Sequence, residues 1–213
     1  MFFLHRISGR NEHPSSVKRT LMASLISFLL STQCHAGHGI MNAFSDIDWL
    51  PEAGITPDKI YYQTDKITEA LELSLTREPL KRFHLLASQA NERLSEMDRM
   101  VIGTKMKAAR EALIGYKAVL DEMTALVVET NNSTLADLLT NQLLENQYII
   151  SSQYMDYPKS TRNLIFSLKK TAEDAQKRIE PVVSASLKGS LFFKEEEIRW
   201  SWATAMRADE QGL

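Results

Sequence analysis

Cysteine occurs once, at Cys34, and of five histidines only His38 and His84 lie beyond residue 36. Catalysis by a Ser-His-Asp set needs an imidazole base, and zinc or iron sites want three or four ligands, so neither chemistry finds its parts here. Glycine and proline are also sparse, 8 and 6 in 213 residues, and most sit between apolar-periodic stretches rather than inside them. Short strands joined by frequent turns would need more of both, whereas helices do not. Charge of one sign is lacking too: 25 basic residues stand against 27 acidic ones, with no concentrated basic surface. Nucleic acid is therefore an unsuitable partner.

What is present begins with a leader. Arg6, Arg10, Lys18 and Arg19 precede an uncharged apolar run from Leu21 to Leu30. The run is roughly half the length that crosses a hydrocarbon core, so the layout is that of a signal peptide rather than an anchor. Cys34-His35-Ala36 puts small side chains three residues and one residue before Gly37, which predicts cleavage after Ala36. Membrane contact would then be transient, during export, and the released chain periplasmic or secreted. Ser31, Thr32 and Gln33 do not make a lipobox for Cys34. Cleavage removes four of the 25 basic and one of the 27 acidic residues, taking the formal net charge from -2 to -5, and the lone cysteine leaves with them.

Apolar residues are 44% of the chain, enough for one continuous core. Residues 37–55 read as a lead-in loop that packs through Ile47, Trp49 and Leu50. A helical bundle domain is expected over 56–188. Thr56, Pro57 and Asp58 carry the start chemistry of a first helix, whose apolar face would be Ile60, Thr64, Ile67, Leu71 and Leu75. A corner near Thr76 sends the second helix back antiparallel. That helix carries Leu80, Phe83, Ala87, Ala90, Leu94, Met97 and Val101 and ends near Gly103; the third repeats the spacing with Met106, Ala109, Leu113, Tyr116, Leu120, Met123 and Val127. Asn131-Asn132-Ser133 is a turn with caps. A fourth helix from Thr134 to Asp156 has a less clean face, because Gln142, Asn146 and Gln147 interrupt it. After Pro158 a fifth carries Leu164, Leu168, Ala172, Ala175 and Ile179, with Lys169 and Glu173 among its four-residue charge pairs. Pro181 and Gly189 then interrupt the pattern before Leu191 to Arg207.

From Leu50 to about Met97 the order of residues resembles the bacterial family called domain of unknown function 5667. The resemblance is carried by Leu50-Pro51, Gly54-Ile55-Thr56-Pro57-Asp58, Tyr62, Glu69, Pro79-Leu80-Lys81, Ala90, Arg93-Leu94 and Glu96. It implies an exported helical hairpin and brings no catalytic residue. Lys59 and Ile60 stand where the family usually shows a small residue and a second proline.

Few side chains suggest chemistry. His84, Ser88 and Glu92 follow at four-residue steps, but one imidazole and one carboxylate do not make a metal site. Asp46, Asp48 and Glu52 cluster oxygens without the glycine and closing acid of a calcium loop. Glu195-Glu196-Glu197 reads as a solvated run. The aromatic end, residues 189–213, offers Phe192, Phe193, Trp200 and Trp202 as a candidate interaction surface, or as a plug for one end of the bundle against Trp49. The expectation is thus an all-α antiparallel bundle of about five long helices with coiled-coil-like seams. It is not expected to be an enzyme and is expected to need no cofactor and no metal. Its partner would be an unknown protein or a second copy of itself. A periplasmic chaperone binding unfolded clients is the alternative, although Leu139-Thr140-Asn141-Gln142 departs by one residue from the Leu-Thr-x-x-Gln motif of such proteins.

Overall fold

Long apolar-periodic stretches that contain neither strand alternation nor internal proline satisfy their own backbone by coiling. The computed structural model describes residues 43–44, 47 and 49–211, all within one folded unit, Asn42–Leu213. Six α-helices occur there: α1 (Tyr62–Leu75), α2 (Pro79–Ile102), α3 (Met106–Thr130), α4 (Ser133–Ser152), α5 (Arg162–Ile179) and α6 (Ala185–Gln211). Two 3-10 turns, Tyr154–Asp156 and Lys159–Thr161, join α4 to α5, and no strand occurs among the described residues. The all-α class expected from the sequence is what they adopt. The leader, with Asp46 and Asp48, lies outside the described residues.

Helix ends follow from capping chemistry. Asn131 takes the left-handed conformation (φ 48°) that closes α3, and the Asn132 side chain accepts from the amides of Thr134 and Leu135 to open α4. At the α2–α3 corner the amide of Lys105 reaches the carbonyl of Met100 (2.8 Å) and that of Thr104 reaches Val101 (3.0 Å), the two bonds of a Schellman turn. The positive φ of that turn falls on Thr104 (55°) rather than on Gly103.

The core is a continuous layer of side chains shared by α2 to α6, including Leu86, Leu94, Met97, Met123, Leu139 and Leu168. Helices α2 and α3 are antiparallel, bridged by Arg82–Glu122 near one end and by Arg93 against Gly115 midway. Helix α4 runs alongside α2 through polar contacts: Gln142 donates to the Ala87 carbonyl (3.1 Å) and to Asn91 (2.9 Å), and Asn146 donates to Asn91 (3.3 Å). These amides explain the interrupted face of the fourth helix, since they are paired rather than misplaced. Helix α6 passes unbroken through Gly189 and begins before the Leu191 start expected for it. It follows α4 through Ser151–Ser201 (2.8 Å), and faces α5 through Gln176–Glu195 (3.2 Å).

Helix α1 departs most from expectation. Thr56 is buried but donates its hydroxyl to Asp58 instead of accepting from a backbone amide, and Asp58 is drawn to Lys105. The cap is therefore absent, and Pro57 to Tyr61 form turns before the helix proper starts at Tyr62. The stripe expected to be buried is outside: Ile60, Ile67, Leu71 and Leu75 are 86, 69, 59 and 75% exposed.

Candidate functional site

Helix α1 faces the bundle with its polar side because the surface beneath it is charged. Arg93 on α2 is buried, and its guanidinium bridges Glu69 of α1 and Glu96 one turn along its own helix. Glu96 is fully buried, and the Tyr62 hydroxyl donates to it at 3.3 Å. The guanidinium also lies over the Tyr62 ring, 5.2 Å from its centre, with Lys66 on the same ring at 5.6 Å. Gly115 of α3 leaves room for the arrangement, since a methyl there would sit 3.2 Å from the Arg93 stem. A leucine stripe laid on this surface would keep water from the ion group without replacing its hydrogen bonds. Glu69 therefore turns inward with Tyr62 and Leu73, while Ile67, Leu71 and Leu75 face outward. Tyr62, Glu69, Arg93 and Glu96 are four of the residues that carry the family resemblance.

Burial pushes the Glu96 carboxyl up to about 7, against the opposing hydrogen bond from Arg93. Desolvation works most strongly against the Arg93 charge, but the hydrogen bond to Glu96 together with the charges of Glu96 and Glu69 outweighs it, and the guanidinium holds its proton more firmly than usual. A carboxyl whose folded pKa exceeds its unfolded value of 4.5 binds its proton better in the fold. Its contribution to stability is full below the unfolded value and is lost as pH rises through the folded one. The urea midpoint should therefore fall from about pH 5 to about pH 8, and Glu96→Gln should flatten that slope. An unchanged slope in the variant would remove Glu96 from the account. Asp58 acts outside this window: hydrogen bonds from Lys105 and Thr56 hold its carboxyl at about 2, so its share is lost only in strong acid.

Beside the bridge, oxygens of Asp65, Glu69 and Glu92 lie within 4.8 Å of one another, each residue partly buried. Burial first, and the Glu69 charge second, push the Glu92 carboxyl up. Clustered carboxylates are what a hard cation takes. Here, however, both Glu69 oxygens already accept from Arg93, so the guanidinium supplies the positive charge. This cluster was not legible in the sequence. Asp65 and Glu69 are one turn apart, but Glu92 joins them only through the antiparallel register of α1 and α2. His84 and Ser88, which share a strip with Glu92 on paper, are exposed.

The aromatic end divides. Phe192, Phe193 and Trp200 are 62, 55 and 59% exposed, while Trp202 is buried against Tyr154 and Phe166, ring centres 5.8 and 6.1 Å away. Trp49 is itself 59% exposed; Ile47 and Leu50 pack on the core, together with Ala43 and the buried Phe44. Glu195, Glu196 and Glu197 have distinct partners: Gln176, Arg199 and the amide of Ala43. A groove of about 460 Å³ between α5 and the start of α6 is lined by Glu173, Lys177, Glu180, Val183, Lys188 and Leu191. Its charges alternate in sign and do not converge on a point. Among the described residues no helix is long and apolar enough to cross a membrane.

No curated protein and no solved structure matches the chain. The family model named domain of unknown function 5667 does match, and it extends well past Met97, to the start of α6. With residues 54–185 of the 213 matched, more than half of its length, the chain belongs to the domain of unknown function 5667 family.

Proposed function

We propose that this is an exported, non-enzymatic protein-interaction module, with coiled-coil-like seams in its bundle and the outer face of α1 as its working surface. The observation that carries the reading is the inverted amphipathic helix. Ile67, Leu71 and Leu75, with Ile60 in the turn before the helix, stay in water while Glu69 of the same helix is drawn inward to Arg93. Contiguous apolar surface of this kind marks interaction sites. The leader supplies the export half of the proposal, and no cofactor or metal enters it.

A photo-crosslinking residue at position 67 in the native cells tests the reading. A small set of defined adducts, lost when Leu71 is changed to Asp, is the expected result. The reading fails if position 67 traps nothing. Adducts with many unrelated unfolded chains would instead support the chaperone-like alternative.

A further inference from the structure

We propose that the cleft between α5 and α6 binds a small, uncharged, mainly apolar molecule that carries a carboxamide, with Gln147 as the group that recognises it. This goes beyond the interaction reading and does not depend on the α1 face. Helices α5 and α6 both pack on α4 but meet each other sparingly, which leaves a valley between them. Next to the groove that starts near Lys188, a second cavity of about 400 Å³ is walled by Leu144, Gln147, Ile198, Trp202, Ala203 and Met206. That size, with an apolar lining and a few placed polar groups, is what small-molecule sites usually offer.

The first ground is an unpaired amide. Gln147 is 3% exposed, yet its side chain has no hydrogen-bond partner among the described residues. Its polar neighbours on α4 are provided for. Gln142 and Asn146 donate to Asn91, the Thr140 hydroxyl donates to the Ala136 carbonyl (2.8 Å), and Ser151 donates to Ser201. A buried amide is unfavourable until something hydrogen-bonds to it. Its oxygen accepts beside a nitrogen that donates, so its full complement is a neutral group with a donor next to an acceptor. A carboxylate brings acceptors only and an ammonium donors only, and each leaves half of Gln147 unpaired. The Trp202 indole N–H also lacks a partner, but it is closed off from solvent, so recognition is assigned to Gln147.

Charge at the rim is the second ground. Lys169 is paired with Glu173, Arg199 is paired with Glu196, and Glu195 accepts from Gln176 (3.2 Å). Lys169 also lies over the Trp202 ring, 5.7 Å from its centre. Each ionic group on the cavity thus has a partner within the protein, and an entering ion would have to break one of these contacts to make its own. The remaining walls, Leu144, Ile198, Trp202 and Met206, favour apolar surface.

NMR titration of the purified protein, following its three tryptophan indole N–H signals, is the test. The probe is N-acetyl-leucinamide, and N-acetyl-leucine, its carboxylate counterpart, is the control. The expected result is a saturable shift of the Trp202 signal, with Trp49 and Trp200, both 59% exposed, unmoved. In Gln147→Leu the dissociation constant should rise on the order of 10-fold, the effect of one or two lost neutral hydrogen bonds. That variant should keep or raise its unfolding midpoint, because it removes an unpaired buried amide, and so loss of binding is separated from loss of fold. Gln147→Met, which keeps the length of the side chain, should behave in the same way. The carboxylate control should bind on the order of 10-fold more weakly than the amide near neutral pH. A Trp202 signal that stays in place up to the solubility limit of the amide overturns the proposal. So does a shift that survives both Gln147 variants unchanged, or one that the carboxylate produces equally well.

Discussion

Arg93→Met should destabilise the fold by about 3–5 kcal/mol, because it strands the carboxylate of Glu96 in a site with no access to water. Glu96 is fully buried, and its remaining partner is the Tyr62 hydroxyl at 3.3 Å. Glu69 suffers less, since its side chain is 19% exposed and can turn outward. The loss should be smaller in mild acid, where Glu96 takes up a proton and stops being a buried charge. It should also be recovered in large part by adding Glu96→Leu, since replacing both members of a buried pair avoids the unpaired charge. Urea denaturation of the wild type, the single variant and the double variant measures this directly. A cost below about 1 kcal/mol for Arg93→Met, or a double variant no more stable than the single one, would show that α1 is not held by the bridge.

The second large effect is expected at Trp202, where alanine should cost about 3–5 kcal/mol through the cavity it opens between α4, α5 and α6. Trp202 is 3% exposed, with Tyr154 and Phe166 against its ring and Lys169 above it at 5.7 Å. Trp202→Phe should cost much less. Its ring keeps the aromatic contacts, and the indole N–H that it removes is buried with no acceptor among the described residues. Losing an unsatisfied donor relieves a desolvation penalty that the larger ring carries. Thermal or urea unfolding of the two variants gives the comparison, with Trp200→Ala as the exposed control two positions away. If phenylalanine proves as damaging as alanine, the contribution comes from the indole nitrogen and not from the volume of the ring.

The core of α2 to α5 was legible for a definite reason. Phe83, Ala87, Ala90, Leu94, Met97 and Val101 recur at intervals of three and four, and all but the half-buried Ala87 are buried, while Leu80 at the head of the expected seam is 44% exposed. In the third helix's seam Ala109, Tyr116, Leu120, Met123 and Val127 are buried, and Met106 and Leu113 are partly so. A strong apolar stripe beside an apolar neighbour leaves the chain one way to turn. The Asn131-Asn132 corner was legible because both of its bonds are local. Trp202 and Trp200 could not be separated on paper, since both lie in one aromatic run. The direction of α6 is set by Arg162–Asp209 at its far end and by α4 along its length.

Helix α1 shows where periodicity misleads. Its spacing names a stripe correctly, but a period cannot say which side of a helix faces the protein. That side was decided by Arg93 and Glu96 on α2. A buried guanidinium and carboxylate demand polar partners more strongly than isoleucine and leucine demand shelter at an edge.

The sequence by itself determined that the described residues would be helical, where most helices end and which side chains α2 to α5 share. Each of these follows from interactions a few residues long or from a stripe repeated at the helical period. Only the tertiary structure decided which face of α1 is buried, that Asp65, Glu69 and Glu92 meet, and that Trp202 is core while Phe192, Phe193 and Trp200 are surface. Those outcomes depend on how one helix is rotated against another, and the rotation is fixed by charged and polar partners far apart in the chain.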